Sequence, residues 1–411
     1  MNALAFLQHF RTQEACVRDK FIVCTVFGRY MEKFMKSNLP IIGKVLAVVI
    51  SVCCIAFMAY LHFSDKGSRA ETEAVVAEVD EGTRAEEKTQ SGQAAKAKAA
   101  REKTDSFYQK LADGFNVNIL VVGDTLASGY GASGADKTWS ALLAQELRDI
   151  YGIQVEMDNL ALIDSDAYSA YSQIKTLDEK MEYDLCIVCT GAYDTNESLA
   201  YHYEAILRAI GDAFKKCSIV TVLENTEGTH EWKSNIIRNL SDVYKAAVAD
   251  TITPSGENLE PYVIDGRFLN DEGQVLYEKA ILKTIMNGAK HETPYEKVRV
   301  KAQHNETSKY DAFYYVPADD FSREDNQFSF AASFDGALAI DYELIPGDTS
   351  MQLYIDGEPI VGYDSSNYYG ANIERAQLIG DNIRVRRRVT VVFGNEEQAN
   401  GFHGIYFSPA G

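Results

Sequence analysis

The sequence predicts an α/β fold in which a doubly wound parallel sheet is followed by an all-β sandwich and preceded by one transmembrane helix. Three observations support this prediction. Short apolar runs alternate with amphipathic segments from residue 117 to residue 287, aromatic-rich and helix-poor sequence begins at about residue 295, and residues 41–63 form an apolar stretch. Alternation of this kind is typical of parallel sheets whose two faces are covered by helices.

The strands and helices of the α/β region follow from the spacing of apolar residues. The predicted strands are Val117–Val122, Val155–Leu160, Leu185–Thr190, Ser218–Leu223 and Tyr262–Ile264. The predicted helices are Trp139–Tyr151, Ser198–Lys215, Glu231–Ala249 and Asp271–Asn287. We predict the flavodoxin-like strand order 2-1-3-4-5, which puts a ligand site at the carboxyl ends of the strands.

Beyond residue 295, turn pairs such as Asp335-Gly336, Asp356-Gly357 and Gly394-Asn395 separate short runs of alternating apolar and polar residues. Such turn pairs between alternating runs are typical of antiparallel strands. The length of this region suits a β-sandwich with a jelly-roll-like topology.

Residues 41–63 read IIGKVLAVVISVCCIAFMAYLHF, and their one charge, Lys44, lies near one end. At about 1.5 Å per residue, such a helix crosses a hydrocarbon core of about 30 Å. Residues 1–62 carry seven Lys or Arg and three Asp or Glu, a net charge of +4, so that −24 remains for the rest of a chain whose total is −20. The positive-inside rule therefore places the N-terminal segment in the cytoplasm and the later domains outside the cell. A cleaved signal peptide is the alternative interpretation.

The predicted organisation comprises a cytoplasmic segment (1–40), the transmembrane helix (41–63), a solvated stalk (64–106), the α/β domain (107–292) and the sandwich (295–411). The acidic later region excludes a nucleic-acid partner, since phosphate binding requires a basic surface. No cofactor or metal is predicted, because Cys186 and Cys189 lie in an apolar run without a His at ligand spacing.

One stretch carries a recognisable motif. Residues 118–131 read NILVVGDTLASGYG, so that a predicted strand ends at Gly123-Asp124-Thr125 and enters a Gly-rich turn. This stretch resembles the first block of the SGNH/GDSL hydrolases, in which a Ser after Gly-Asp is a nucleophile at the carboxyl end of a strand. Matching segments begin at Asn159, Gly191 and Asp265. The resemblance covers roughly residues 117–287.

The resemblance implies an esterase-type site in which four positions are substituted. Thr125 stands in place of the nucleophilic Ser, and Asp265 matches the Asp of the catalytic triad. Asp164 replaces the Gly of the oxyanion hole, Tyr193 replaces its Asn, and Phe268 replaces the catalytic His. Because Phe268 cannot exchange a proton and the Asp164 carboxylate would repel an oxyanion, the substitutions predict impaired catalysis.

Two other histidines, His202 and His230, lie on or beside predicted helices, which favours surface positions over a catalytic role. The sequence therefore predicts a membrane-anchored extracellular protein that is catalytically impaired and binds cell-surface glycan or an esterified ligand. Two alternatives stay open. One is an active esterase or deacetylase of cell-envelope polysaccharide that uses Thr125, and the other is a scaffolding protein of the cell envelope.

Overall fold

A computed structural model describes residues 106–178, 181–192, 194, 198–225, 231–256, 258–290, 310–368 and 372–410. The predicted cytoplasmic segment, the predicted span at residues 41–63 and all but the last residue of the predicted stalk lie outside these ranges. Within the described ranges, no helix combines the length and the apolar character that crossing a membrane requires.

The first part of the described chain contains a five-stranded parallel sheet. Its strands are β1 (Val117–Gly123), β2 (Val155–Asn159), β3 (Leu185–Cys189), β4 (Ser218–Leu223) and β5 (Ala247–Asp250). They are arranged in the order β2-β1-β3-β4-β5, with parallel pairing throughout. The predicted sheet and strand order are confirmed.

The identity of the fifth strand was predicted wrongly. The helix predicted over Glu231–Ala249 ends at Tyr244, and the last three residues of that segment belong to strand β5. Lys245 breaks the helix with a φ of +56°. The segment at Tyr262–Ile264 instead contributes β6 (Val263–Ile264) of an antiparallel hairpin with β7 (Phe268–Leu269). A four-residue strand directly after a helix leaves too short an apolar pattern to be distinguished from the helix.

Helices cover both faces of the parallel sheet. They are α1 (Phe107–Asp113), α2 (Trp139–Tyr151), α3 (Ala167–Thr176), α4 (Leu199–Ala213), α5 (Glu231–Tyr244), α6 (Ile252–Ser255) and α7 (Asp271–Lys290). Helices α1, α2 and α7 pack on one face of the sheet, while α3, α4 and α5 pack on the other. Strand β1 shows why the sheet needs both layers, because Val121 faces the first layer and Leu120 the second, and both are fully buried.

The second part of the described chain is a β-sandwich of two antiparallel sheets. Its strands are β8 (Tyr314–Pro317), β9 (Ser322–Glu324), β10 (Gln327–Ala331), β11 (Phe334–Leu344), β12 (Gly347–Ile355), β13 (Glu358–Tyr368), β14 (Ile373–Val385), β15 (Arg388–Phe393) and β16 (Phe402–Pro409), with helix α8 (Glu396–Asn400) before the last. One sheet has the order β13-β12-β15-β10-β9 and the other β14-β11-β16-β8. Their facing side chains form a separate apolar core. The predicted antiparallel region is confirmed.

We call residues 107–290 the α/β lobe and residues 310–410 the sandwich lobe, and the two share a hydrophobic core. Ala337, Ala339, Ala376 and Tyr406 of the sandwich lobe belong to the cluster that covers α3 and α4. Polar bonds cross the same interface, among them one of 3.0 Å between the Tyr168 hydroxyl and Ser408 Oγ. The small alanine side chains allow the helices to approach the sheet closely.

Candidate functional site

Thr125 lies in the turn after β1, at the carboxyl end of a central strand, as the sequence predicted. The residue is fully buried, with 0% of its surface exposed. The backbone N–H of Asp164 donates a hydrogen bond of 2.8 Å to Thr125 Oγ1. Ser128 Oγ donates to the Thr125 carbonyl oxygen at 2.8 Å. A substrate carbonyl can therefore reach this hydroxyl only if the loop that carries Asp164 moves.

Asp164 has a backbone conformation that favours glycine, with a φ of +56°. This agrees with the Gly that the family resemblance implies at this position. Its carboxylate binds two arginines, since Arg375 of the sandwich lobe donates to Oδ2 at 2.8 Å and Arg267 of the hairpin donates to Oδ1. The expected repulsion of an oxyanion assumed an unpaired carboxylate, whereas two guanidinium groups offset the charge here.

Asp265 and Phe268 lie on the β6-β7 hairpin. Asp265 and Gly266 both have positive φ, +53° and +68°, because the chain turns sharply between the two strands. The Asp265 side chain is exposed and makes no hydrogen bond or ion pair with the described residues. The ring of Phe268 packs edge-on against Tyr130, with 4.8 Å between ring centroids. The hairpin thus places an aromatic ring and a free carboxylate beside the Gly-rich turn.

The third matching segment is described in part, and Tyr193 lies outside the described residues. Asp194 is buried, and its Oδ2 accepts a 3.0 Å hydrogen bond from the backbone N–H of Ala167 at the start of α3. Lys233 donates from Nζ to the Ala192 carbonyl at 2.5 Å. These contacts fix the loop after β3 to the helices around it.

The described histidines make no hydrogen bond to Thr125. His202 is fully buried, which corrects the surface position that its helix predicted. Its Nε2 lies 2.9 Å from Asp381 Oδ1 of the sandwich lobe, and its Nδ1 lies 3.8 Å from Asp194 Oδ1. His403 belongs to β16, where its Nδ1 lies 3.3 Å from Glu374 Oε2. His230 lies outside the described residues.

Two buried carboxyl groups beneath the Gly-rich turn were missed by the sequence analysis. Asp124 follows β1 directly and Glu224 follows β4 directly, and both are buried. Burial and the neighbouring Glu224 raise the pKa of Asp124 well above its usual range, and burial raises the pKa of Glu224 to about 7. Burial and mutual repulsion of this kind favour a proton on one of the two groups over two negative charges. Their place directly after strands was the signal that would have indicated them.

An open pocket of about 760 Å³ lies between the Gly-rich turn, the loop after β2, the hairpin and the start of β14. It is lined by Ser128, Gly129, Tyr130, Gly131, Ala132, Gly134, Ala135, Thr138, Ala161, Leu162, Ile163, Ile264, Asp265, Phe268, Asn372, Ile373 and Glu374. Both lobes contribute to its walls, and half of the surface of Tyr130 is exposed. We call this cavity the interlobe pocket. Asp265 and Phe268 line it, whereas Thr125 does not.

Among the described residues, no group of His, Cys, Asp or Glu has the arrangement needed to hold a metal ion. The sequence matches no protein-family model and no curated protein.

Solved structures nevertheless share the fold. A two-domain esterase active on acetylated mannans, co-crystallised with mannopentaose, is 13% identical and has a TM-score of 0.56, covering 74% of this chain and 93% of its own. A second structure of a two-domain esterase active on acetylated mannans gives a TM-score of 0.56 at 13% identity, covering 74% of this chain and 94% of its own. The match extends over both lobes. The chain therefore has the fold of the SGNH/GDSL hydrolases, joined to a β-sandwich.

Proposed function

We propose that this protein binds glycan in the interlobe pocket and does not hydrolyse esters at Thr125. The observation that carries the proposal is that the Thr125 hydroxyl does not lie in the open pocket. The hydroxyl that would attack an ester is buried and bonded to the Asp164 N–H, while an open pocket with exposed aromatic surface lies beside it.

The contacts of Thr125 support the absence of hydrolysis. A hydroxyl nucleophile requires a base that removes its proton, and Phe268 at the expected His position cannot act as one. The Phe268 ring instead packs on Tyr130. Loss of the base from such a triad lowers the rate by several orders of magnitude.

The lining of the interlobe pocket supports a carbohydrate ligand. Aromatic rings that are partly exposed stack on the apolar faces of sugars, and carboxylates and amides bind the hydroxyl groups. Tyr130 and Phe268 supply the rings, and Asp265, Asn372 and Glu374 supply the polar groups. The two-domain relative of the same fold acts on acetylated mannans and was crystallised with mannopentaose.

The binding half of the proposal is tested by affinity electrophoresis of the full chain through immobilised mannan, xylan and chitin. We expect retardation by at least one glycan, and a loss of affinity of about tenfold in Tyr130→Ala, since an aromatic contact at a binding site commonly contributes more than 1 kcal/mol. Tyr314→Ala is the matched control, because Tyr314 is 52% exposed against 50% for Tyr130 and lies outside the pocket. Equal effects of the two substitutions, or no retardation, would overturn glycan binding at this site.

The catalytic half is tested with short-chain aryl esters. We expect the full chain to hydrolyse them no faster than the Thr125→Ala variant. A wild-type rate well above that of the variant would instead establish the alternative, an active esterase or deacetylase. In that alternative, movement of the loop that carries Asp164 would release the Asp164 N–H from the hydroxyl, so that it could donate to the oxyanion instead.

The cellular setting is a further part of the proposal. The apolar stretch at residues 41–63 and the basic residues before it support a single-pass anchor with both lobes outside the cell. Protease added to intact cells is expected to degrade the lobes and leave the N-terminal segment. Full protection of the lobes would contradict this orientation. An envelope scaffold, the remaining alternative, would retain a protein partner when Tyr130 is replaced.

A further inference from the structure

The charged side chains that line the interlobe pocket are acidic. Among the described residues, its lining includes two acidic residues, Asp265 from the hairpin of the α/β lobe and Glu374 from β14 of the sandwich lobe, and no Lys, Arg or His. Both acidic side chains are solvent-accessible, with that of Glu374 53% exposed. The two carboxylates therefore face a bound ligand from different lobes.

Three cations are next to lining residues in the sequence, and of these Lys137 is exposed whereas the two arginines are already engaged. Arg267 and Arg375 both bind the Asp164 carboxylate, and the Arg375 side chain is only 15% exposed. An acidic sugar would have to compete with an intramolecular carboxylate for these two guanidinium groups. His403 lies 3.3 Å from Glu374 and offsets that carboxylate when protonated, whereas Asp265 makes no ion pair with the described residues.

We propose that the interlobe pocket selects glycans that carry a protonated amino group, with Asp265 as the main specificity-determining residue and Glu374 as the second. This inference rests on the proposed glycan binding and adds the charge of the ligand. An ammonium group placed beside Asp265 forms a charge-assisted hydrogen bond. A uronic acid at the same place would lose hydration and face two like charges.

The experiment compares three oligosaccharides of equal length by titration calorimetry with the full chain. They are a glucosamine tetrasaccharide, its neutral N-acetylated counterpart and a galacturonic acid tetrasaccharide. The titrations are made at about pH 6, where amino sugars carry a proton. We expect the amino tetrasaccharide to bind most tightly, the neutral one less tightly and the acidic one most weakly. The difference between the amino and neutral forms should decrease when salt is added.

Asp265→Asn removes the charge and keeps a side chain that tolerates the left-handed backbone. This variant is expected to lose about fivefold in affinity for the amino tetrasaccharide, the upper range for an exposed ion pair, and little for the neutral one. Asp319→Asn, an exposed acidic residue of the sandwich lobe outside the pocket, is the control and should change neither affinity.

Equal affinities for the amino and neutral forms, an equal loss in both variants, or preference for the acidic form would overturn the selectivity while leaving glycan binding intact. If none of the three binds, and Tyr130→Ala changes nothing with the polymeric glycans, the proposed function fails together with this inference.

Discussion

Asp164 joins three parts of the molecule, since its N–H bonds to Thr125 and its carboxylate to Arg267 and Arg375. The Asp164–Arg375 pair is poorly exposed, at 25% and 15% of the side chains. Water screens such a pair less than a surface pair, so its coupling should be measurable. We expect a double-mutant cycle with Asp164→Asn and Arg375→Gln to give a coupling of about 1–2 kcal/mol in urea unfolding.

The matched pair for this cycle is Asp335–Arg386, also within hydrogen-bond distance at 2.9 Å but 50% and 49% exposed. Its coupling should be hardly measurable, because solvent screens it and ordering two long side chains opposes it. Similar couplings for both pairs would show that burial does not distinguish them.

His202 is a buried ionisable group whose charge is expected to stabilise the fold. Burial lowers its pKa, but the carboxylates of Asp194 and Asp381 outweigh this effect and raise the pKa to about 9. A group whose pKa is raised in the folded protein contributes stability fully below its unfolded pKa, close to 6.5. That contribution is lost as the pH rises toward about 9.

The free energy of unfolding should therefore decrease between about pH 6.5 and pH 9, and His202→Gln should flatten this part of the profile. Asp166, whose pKa burial raises to about 6, titrates below this window. Glu224, whose pKa burial raises to about 7, titrates at its lower end and contributes a slope of the same sign that remains in the variant. Urea unfolding at a series of pH values measures the effect. A profile that keeps its slope in the variant would assign the pH dependence to another group.

At the residue scale, the sequence indicated which positions form the candidate site but not their environment. Thr125, Asp164, Asp265 and Phe268 lie around one edge of the sheet, as the resemblance implied. The pairing of Asp164 with Arg375 joins residues 211 positions apart, and no local pattern indicates it. The burial of His202 depends on the sandwich lobe in the same way.

The end of β1 requires a glycine, because β3 approaches it closely there. A Cβ added to Gly123 would lie 1.8 Å from the Cys189 carbonyl oxygen at the end of β3. We expect Gly123→Ala to lower the free energy of unfolding by about 2–3 kcal/mol, because β1 and β3 must separate to accept the methyl group. Urea unfolding followed by circular dichroism is the measurement.

Gly211 provides the control, because replacing it by alanine should raise the free energy of unfolding. It lies in α4, and a Cβ added there meets no atom within 4 Å. Alanine is the better helix former, so Gly211→Ala should stabilise the protein by about 0.5–1 kcal/mol. A destabilisation as large as that of Gly123→Ala would refute the argument from close approach.

Predictability at the element scale followed the strength of the apolar pattern. Strands β1 to β4 were predicted to within a residue at each end, and three of them, β1, β3 and β4, are almost continuously apolar and buried. Strand β5 was missed because its four residues continue a helical pattern. Helix α3 was also missed, since its buried face includes Ser169 and Ser172, whose hydroxyls weaken the apolar periodicity.

For the whole molecule, the shared core predicts that the lobes do not fold independently. A chain that ends at Lys290 would expose the faces of α3 and α4 that Ala337, Ala339 and Tyr406 cover. We expect this truncated protein to bind a hydrophobic dye and to lose its near-ultraviolet circular dichroism, as partly folded states do. A soluble truncated chain with a sharp unfolding transition would show that the α/β lobe is autonomous.

Fold class could be derived from sequence because it depends on periodicity within each lobe, and the strand order because it is a common order of doubly wound sheets. The packing of one lobe on the other could not be derived, since alanines at an interface give the same sequence pattern as alanines inside a sheet. The interlobe pocket could not be predicted for the same reason, because Asn372 and Glu374 line it only when β14 packs against the α/β lobe.

The shared core also has a consequence for biosynthesis. Tyr168 and its partner Ser408 are 240 positions apart. At about 5–20 residues per second, α3 therefore leaves the ribosome about 10–50 s before β16 exists to cover it. During that delay the aromatic face of α3 is open to aggregation, so a chaperone that holds nascent chains should raise the yield of folded protein.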